Sequence, residues 1–524
     1  MIRLLTLTLA GLALTACSDD VASPAPGDPD DVRTLLAQHG FTGSVEASLA
    51  ARLGRSVNPE LADLGRLLFF DRALALHSDP DGSNGNSCAG CHSPSSGFGD
   101  TQSIAIGVDN NSLVGPGRTG PRNQRRSPML VNIGFAPRLM WDGRFSAPSG
   151  DPFDNSQGFL FPMPEGTTAF PAHDPGVRHL LVAQAHIPPT ELPEMAGFTG
   201  TSALPAISFT GKQLLRRSIF PGGGAAAALA SSDLFDDGHG QAVPPPDENG
   251  YRNAQIRDAV TAIVDGIPGY RDRFSALYPS VAGGGPVTFL MIAQAIAEFQ
   301  LSLTFADAPV DAFARGDDDA LDAAERRGAV VFFGKGKCAS CHATGGEANE
   351  MFSDFDNHRI GGPPLAPAFG PGLGNVQFAG EGSLEDFGAE HSTGDAVHRY
   401  MFRTAPLRNV AVQPTFFHNG AFTSLESAIR HHLDPAGSLT GYDPAAHGVA
   451  ADLQELAPPR APILAQGLDP LLAEGIELTD GELADLLAFV RDGLLDPRAL
   501  PGNLCGLIPA AVPSGMAVGT FQGC

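Results

Sequence analysis

Hydrophobic residues recur at helical spacing in several segments of the chain, whereas strand-like alternation is scarce. The predicted helices are Pro59–Phe70, Phe289–Leu303, Asp318–Phe333 and a final helix after the capping box Thr479-x-x-Glu482. The stretches Pro221–Ala230 and Gln241–Gly250 are low-complexity loop or linker. The pattern therefore predicts an all-α protein with long loops and little β structure.

An apolar run follows Arg3 and extends from Leu4 to Ala16, directly before Cys17. It is shorter than the ~20 residues that a membrane-spanning helix needs. A basic start, a short apolar stretch and small final residues are typical of an export signal. We interpret residues 1–16 as a lipoprotein signal peptide with Cys17 as the lipid anchor, and an ordinary secretory signal is the alternative. Both predict a periplasmic protein.

The strongest chemical signal is a pair of Cys-x-x-Cys-His motifs, formed by Cys88, Cys91 and His92 and by Cys338, Cys341 and His342. Two cysteines at this spacing can attach one haem covalently, and the next histidine can ligate its iron. A zinc site would need four ligands in one cluster, but these pairs lie 250 residues apart. A dithiol redox centre would not explain the histidines. The motifs predict two covalent haem c groups.

The net charge and the two remaining cysteines give further information about binding partners and about covalent cross-links. The formal net charge of −25 argues against nucleic-acid binding and favours a basic protein partner. Cys505 and Cys524 remain near the C-terminus, where an exported protein could pair them as a disulfide.

Each haem motif follows a predicted helix, which gives two cytochrome c-like domains. We expect a tether over residues 17–55, a first haem domain over 56–285 and a second over 286–480. A C-terminal helix and tail, 481–524, would pack onto either domain. The first boundary is placed near Gly283–Pro286.

Several further motifs, in order along the chain, resemble the bacterial di-haem cytochrome c peroxidases and their MauG relatives. They are Leu67-Leu68-Phe69-Phe70-Asp71, Gly120-Pro121-Arg122-Asn123, Trp141-Asp142-Gly143-Arg144, Glu194-Met195, Phe402-Arg403-Thr404-Ala405-Pro406-Leu407-Arg408-Asn409-Val410 and Phe417-His418-Asn419-Gly420. The resemblance covers most of residues 56–495 and is interrupted by longer loops around Ser146–Arg178 and Gly200–Tyr251. It implies a peroxide-reactive first haem and an electron-collecting second haem.

The resemblance implies roles for residues near the first haem. His92 would be the proximal ligand and Glu194 the distal acid–base group, with Glu191 as the competing carboxylate. Trp141, the only tryptophan in the chain, would carry charge between the haems.

Many family members close the distal face of the first haem with a histidine until the enzyme is reduced. No histidine lies between His92 and Trp141 here. We therefore expect an open distal face, unless His173, His179 or His186 from the inserted loop reaches it.

At the second haem, His342 would be the proximal ligand. The family places a Met or a Tyr on the opposite face, and the matching position here is His432. His431 and, more remotely, Met401 are alternatives. Imidazole in place of thioether lowers the haem potential.

The family also binds calcium between its domains, and the matching ligands are Asn123, Gln413 and Thr415. A homodimer is one assembly compatible with this interpretation.

The leading functional hypothesis is a periplasmic peroxidase that reduces hydrogen peroxide with electrons from a small cytochrome c or copper protein. The first alternative is a MauG-like enzyme that oxidises a protein or organic substrate. The second is a non-catalytic di-haem electron carrier.

Overall fold

The computed structural model describes residues 27–82, 84–160, 170–200, 207–209, 212–214, 239–245, 247, 252–366 and 384–524. The predicted signal peptide, the lipid site at Cys17 and the stretch Pro221–Ala230 lie outside these residues. Within them, no helix is both long enough and apolar enough to cross a membrane.

Helices connected by long loops form most of the regular structure, which confirms the predicted all-α class. The helices are α1 Pro29–Gln38, α2 Val45–Leu53, α3 Pro59–Phe70, α4 Cys88–Cys91, α5 Leu180–Gln184, α6 Asn253–Gly266, α7 Pro268–Leu277, α8 Pro279–Ala282, α9 Phe289–Ser302, α10 Pro309–Ala314, α11 Ala323–Phe333, α12 Glu390–Thr393, α13 Leu425–Leu433, α14 Pro435–Gly441, α15 Ala461–Ala465, α16 Asp480–Ala488 and α17 Pro501–Leu504. Two single π-turns, Leu192–Ala196 and Phe489–Gly493, are also present.

The strands are short and form two-stranded pairs. They are β1 Leu113–Val114, β2 Arg138–Leu139, β3 Phe145–Ser146, β4 Ile207–Phe209, β5 Lys212–Leu214, β6 Asn357–His358, β7 Phe402–Arg403 and β8 Thr520–Phe521. β2–β3, β4–β5 and β6–β7 are antiparallel, whereas β1 and β8 are parallel and join the loop at residues 113–114 to the C-terminal tail.

Two hydrophobic cores organise the chain, one around each haem motif. In the first core, α3 packs against α9. The two backbones are so close that a Cβ atom at Gly65 would lie only 1.8 Å from the Ala295 carbonyl oxygen. In the second, α11 packs against α16, and a Cβ atom at Gly328 would lie 2.0 Å from the Asp485 carbonyl oxygen. Glycine at each crossing lets the helix backbones approach.

Helix α9, which follows the predicted boundary near Gly283–Pro286, packs in the first core, and the domain boundary stays a prediction. The part of the predicted tether 17–55 that the structure describes, residues 27–55, contains helices α1 and α2. Its helix α1 buries Val32 and Leu36 in the second core. At the other end, α16 packs on the second core, whereas the tail buries Leu504 and Val512 in the first.

Helix starts follow capping more closely than charge. The predicted helix Asp318–Phe333 begins only at Ala323, because Asp322 and Glu325 form a capping box there. The capping box of Thr479 and Glu482 is confirmed at the start of α16. The structure also pairs Cys505 with Cys524, as the composition suggested.

Candidate functional site

A cavity of about 1400 Å³, including its solvent-open part, surrounds the first motif. Cys88, Cys91 and His92 line it together with Glu191 and Glu194. The sequence-predicted residues of the first haem site are therefore brought together around one space. A haem attached to the two cysteines would occupy this cavity, which His92 and the two carboxylates also line.

The His92 imidazole has the tautomer and the protonation state that a metal ligand needs. Its Nδ1 donates a hydrogen bond to the Phe98 carbonyl oxygen at 2.9 Å, which leaves Nε2 with its lone pair. Burial lowers the pKa of His92 to about 4, so the ring is neutral at pH 7. The short helix α4 presents both cysteines and His92 to the cavity.

Glu194 lies on the π-turn Leu192–Ala196 and lines the first cavity. Burial raises the pKa of its carboxyl group, and the nearby Arg144 guanidinium partly opposes that rise. A carboxyl group with a raised pKa is suited to exchange protons near neutral pH. Glu191 lines the same cavity, so both candidate carboxylates lie at the site.

The three inserted-loop histidines do not line the first cavity. His179 is buried, and its two ring nitrogens contact the Gly134 carbonyl oxygen and the Leu181 N–H. The Nδ1 of His186 donates to the Val182 carbonyl oxygen, and His173 is exposed. Among the described residues, His92 is thus the only histidine that lines this cavity. The open distal face stays a prediction.

Arg126 is one of the residues lining the first cavity that sequence reasoning missed. Arg126 is buried, and its Nε has no hydrogen-bond partner among the described residues. A haem propionate is an anion that could satisfy such a buried guanidinium. The orphaned donor therefore fits the cofactor that the motif predicts. The run of two arginines at 125 and 126, within a chain of low basic content, was the available signal.

A second cavity of about 1340 Å³ surrounds the other motif and is lined by Cys338, Cys341, His342 and His432. The ring centres of the two histidines lie 6.3 Å apart. Two imidazoles on opposite faces of one metal, each with a metal–nitrogen bond of about 2.0 Å, would have ring centres at about this separation. The second pair of histidines therefore fits a haem iron ligated on both faces.

The hydrogen bonds of the ring nitrogens distinguish His432 from His431 as a candidate iron ligand. The Nδ1 atoms of His342 and His432 donate to the carbonyl oxygens of Phe352 and Ala428, at 2.9 and 2.8 Å, which leaves both Nε2 atoms available. His431 instead uses both nitrogens, because Nε2 donates to the Ile360 carbonyl oxygen and Nδ1 accepts from Ser438. Burial lowers the pKa of His342 to about 4, and it also lowers that of His432. Neither His431 nor Met401 lines this cavity.

Trp141 is the one residue that lines both cavities within the described chain. Its indole N–H donates to the Arg126 carbonyl oxygen at 2.7 Å, and its own carbonyl oxygen accepts from the Arg403 N–H at 2.7 Å. The side chain is 8% exposed. Hydrogen bonds from both halves of the molecule therefore fix the tryptophan between the two spaces.

The predicted calcium ligands lie near the contact between the cores. The Thr415 hydroxyl donates to the Gln102 carbonyl oxygen at 3.1 Å, and the Gln413 side chain contacts Ser96 and Arg126. Asn123 lines the first cavity. Amide and carbonyl oxygens are suitable ligands for a hard cation. Calcium at this contact stays a prediction.

Comparison with known proteins identifies the family. A family model described as di-haem cytochrome c peroxidase matches residues 59–319. The chain is 25% identical to a methylamine utilization protein MauG of Methylorubrum extorquens over 421 residues, which cover 80% of this chain and 81% of the relative. It is 30% identical to a cytochrome c551 peroxidase of Pseudomonas aeruginosa over 206 residues, 38% of this chain and 54% of that relative.

The fold has a counterpart among solved structures. The crystal structure of a MauG-like protein associated with microbial copper homeostasis aligns with a TM-score of 0.50 and 21% identity, over 85% of this chain and 92% of the other. The family match, the relatives and the two motif-bearing cavities agree. This chain belongs to the bacterial family of di-haem cytochrome c peroxidases and MauG proteins.

Proposed function

We propose that the protein is a periplasmic di-haem peroxidase that reduces hydrogen peroxide to water with electrons from a small redox protein. The observation that carries this proposal is the difference between the two cavities. Among the described residues, one cavity is lined by a single histidine and two glutamates, whereas the other is lined by four histidines, and the ring centres of two of them, His342 and His432, lie 6.3 Å apart. A site that reacts and a site that only transfers electrons need such unlike surroundings.

Glu194 is proposed as the proton-transfer group of the reactive site. The haem iron, when bound, supplies the position where peroxide is held and the electrons that cleave its O–O bond. The Glu194 carboxylate accepts the proton from one peroxide oxygen and returns it to the other, which leaves as water. Arg144, which also lines the cavity, favours the ionised carboxylate that starts this cycle. The overall reaction consumes one peroxide, two electrons and two protons and yields two waters.

Trp141 is proposed as the bridge for those electrons, because it borders both cavities and is held from both sides. The second haem, held by His342 and His432, would receive electrons from a small cytochrome c or copper protein. The net charge of −25 favours a basic donor, whose docking should weaken as salt screens the attraction. Export and a lipid anchor at Cys17 would place the enzyme at the periplasmic side of a membrane.

A second candidate function is oxidation of a protein or organic substrate, as in MauG. The specific observation in its favour is the first cavity, where His92 is the only histidine among the described lining residues. An iron that is open without prior reduction could react with peroxide before any donor binds. The match to MauG over 81% of that relative's length is compatible with this alternative.

One experiment distinguishes the candidates. Purified, fully haem-loaded protein is titrated with peroxide while haem absorbance and the oxidation of a reduced basic cytochrome c are recorded. The peroxidase proposal predicts two cytochromes oxidised per peroxide at a catalytic rate. A spectral reaction without donor turnover, together with a covalent change in a co-expressed partner, would select the MauG-like function. An unchanged haem spectrum would select a plain electron carrier.

A further inference from the structure

The turn that carries Glu194 buries Leu192, Met195 and Ala196 in the first core, and hydrogen bonds to its backbone carbonyl oxygens anchor it further. The Pro193 carbonyl oxygen accepts from the Val108 N–H at 3.0 Å, and the Glu194 carbonyl oxygen accepts from Asn86 Nδ2 at 2.8 Å. The contact is close, because a Cβ atom at Gly107 would lie 2.0 Å from the Pro193 carbonyl oxygen. The position of the Glu194 side chain therefore depends on Asn86 and on the loop around residue 108.

Arg118 fixes both of those elements. Its Nη2 donates to Asn86 Oδ1 at 2.9 Å, so the amide of Asn86 has one orientation in which Nδ2 faces Glu194. The same guanidinium donates to the carbonyl oxygens of Ile106 and Leu113, at 2.9 and 2.7 Å. Arg118 is only 5% exposed, and its guanidinium donates to backbone carbonyl oxygens and to the Asn86 amide oxygen.

Burying a guanidinium is costly, and burial lowers the pKa of Arg118, although the negative charge of nearby Asp100 partly opposes that fall. A cation in that position needs several well-aligned acceptors to be tolerated. Those acceptors are also what shape the loop from Ile106 to Leu113 and orient Asn86. The buried arginine is thus the centre of a rigid connection between the loop and the Glu194 turn.

The C-terminal tail clamps the outer part of the same loop. β8 pairs in parallel with β1, and the Gln522 N–H donates to the Val114 carbonyl oxygen at 2.7 Å. The Gln522 side-chain oxygen accepts from the Gly117 N–H at 2.6 Å. The disulfide between Cys505 and Cys524 closes this segment into a ring. The tail therefore holds the loop directly before Arg118.

We propose that Arg118 is a positioning residue for Glu194, acting through Asn86, and that the disulfide-closed tail keeps its loop in place. The proposal rests on the proposed function, in which Glu194 transfers the peroxide proton. It also gives a role to the disulfide, which is far from the first haem motif in sequence but next to it in space: the tail supports the loop beside the first cavity.

The test uses the full-length, haem-loaded protein with Asn86→Asp. This change keeps an acceptor for Arg118 but replaces the amide donor by an oxygen that repels the Glu194 carbonyl oxygen. Asn155→Asp is the matched control, because Asn155 Nδ2 also donates to backbone carbonyl oxygens, those of Asp174 and Val177, away from the cavity. Haem content and the absorbance of the second haem are measured first in every variant.

Three readouts follow. Asn86→Asp should slow the reaction with peroxide by roughly 10- to 100-fold, the size of effect that misplacing a catalytic group causes. The apparent pKa of that reaction should fall towards the ordinary glutamate value of about 4.3, because the loosened turn admits water. Hydrogen exchange should accelerate in the peptide that spans residues 189–199. A purely structural role would lower haem content or stability without moving the pH profile.

Gln522→Ala tests the tail without touching the haem-binding segment. It should accelerate hydrogen exchange over residues 111–118 and shift the pH profile in the same direction as Asn86→Asp, by a smaller amount. Equal exchange and equal pH profiles in wild type, Asn86→Asp and Gln522→Ala would overturn the proposal. If wild type itself does not react with peroxide, the proposed function fails, and the exchange measurements still decide whether Arg118 and Asn86 hold the turn.

Discussion

Glu194→Gln is the substitution that should separate proton transfer from all other properties of the first site. Glutamine keeps the length and shape of the side chain but cannot take up a proton. A positioned general acid–base group contributes about 10²- to 10⁴-fold to a rate, which corresponds to about 3–5 kcal/mol of barrier. We expect a loss of that size in the rate of the peroxide reaction, with unchanged haem content.

The raised pKa of Glu194 also predicts the direction in which the rate of the peroxide reaction changes with pH. Burial raises the pKa of Glu194, so the proton-accepting carboxylate forms only as the pH rises through that raised value. The wild-type rate should therefore increase with pH over that window, whereas the rate of Glu194→Gln should stay flat. Stability should change in the opposite direction, because the folded state binds this proton more tightly and loses stability as pH rises above the unfolded pKa of about 4.3.

The assay is stopped-flow absorbance after mixing oxidised protein with peroxide, with thermal unfolding recorded in parallel at pH 7. Glu191→Gln is the matched control, because Glu191 lines the same cavity within one turn of Glu194. The reasoning predicts that Glu194→Gln is slow and no less stable than wild type. A rate within about threefold of wild type for Glu194→Gln, combined with a collapse in Glu191→Gln, would refute the assignment.

Three further predictions concern the second haem, the tryptophan between the cavities and a buried ion pair. His432→Met should raise the reduction potential of the second haem by a sizeable part of the ~0.8 V that axial ligands span, measured by spectroelectrochemistry, whereas His431→Gln should leave it near the wild-type value. Trp141→Phe should slow transfer of electrons from the second haem to the first at least about tenfold in stopped-flow traces, with both haems still loaded. Arg408→Met should lower the free energy of unfolding by about 3–5 kcal/mol in denaturant titrations, because it leaves Asp311 buried without its partner. Adding Asp311→Leu should recover part of that loss, and no recovery would contradict the ion-pair explanation.

The sequence predicted best those features that depend on local pattern. The helix Pro59–Phe70 has the predicted bounds, because its leucine stripe and its Asn58 cap are both encoded within a few residues. The two haem motifs predicted their cavities for the same reason, since cysteines and histidine are neighbours in the chain. The resemblance to the family then singled out Trp141 and Glu194, because each lies in a short motif that can be read directly from the sequence.

Features that depend on contacts between distant segments could not be predicted in the same way. The packing of α9 against α3 in the first core depends on the close approach at Gly65, which the local pattern of either helix does not show. The choice between His431 and His432 required the hydrogen bonds to Ser438 and Ile360. The roles of Arg118 and of the C-terminal tail arise from contacts across about 400 residues of sequence.

The central claim is that the two irons have unlike ligand sets, one open beside Glu194 and one held between His342 and His432. Low-temperature electron paramagnetic resonance of the oxidised, fully loaded protein tests it most directly. The account predicts one high-spin haem and one low-spin haem with the signature of two imidazole ligands. Two low-spin signals, which would place a protein ligand on both faces of each iron, would contradict it.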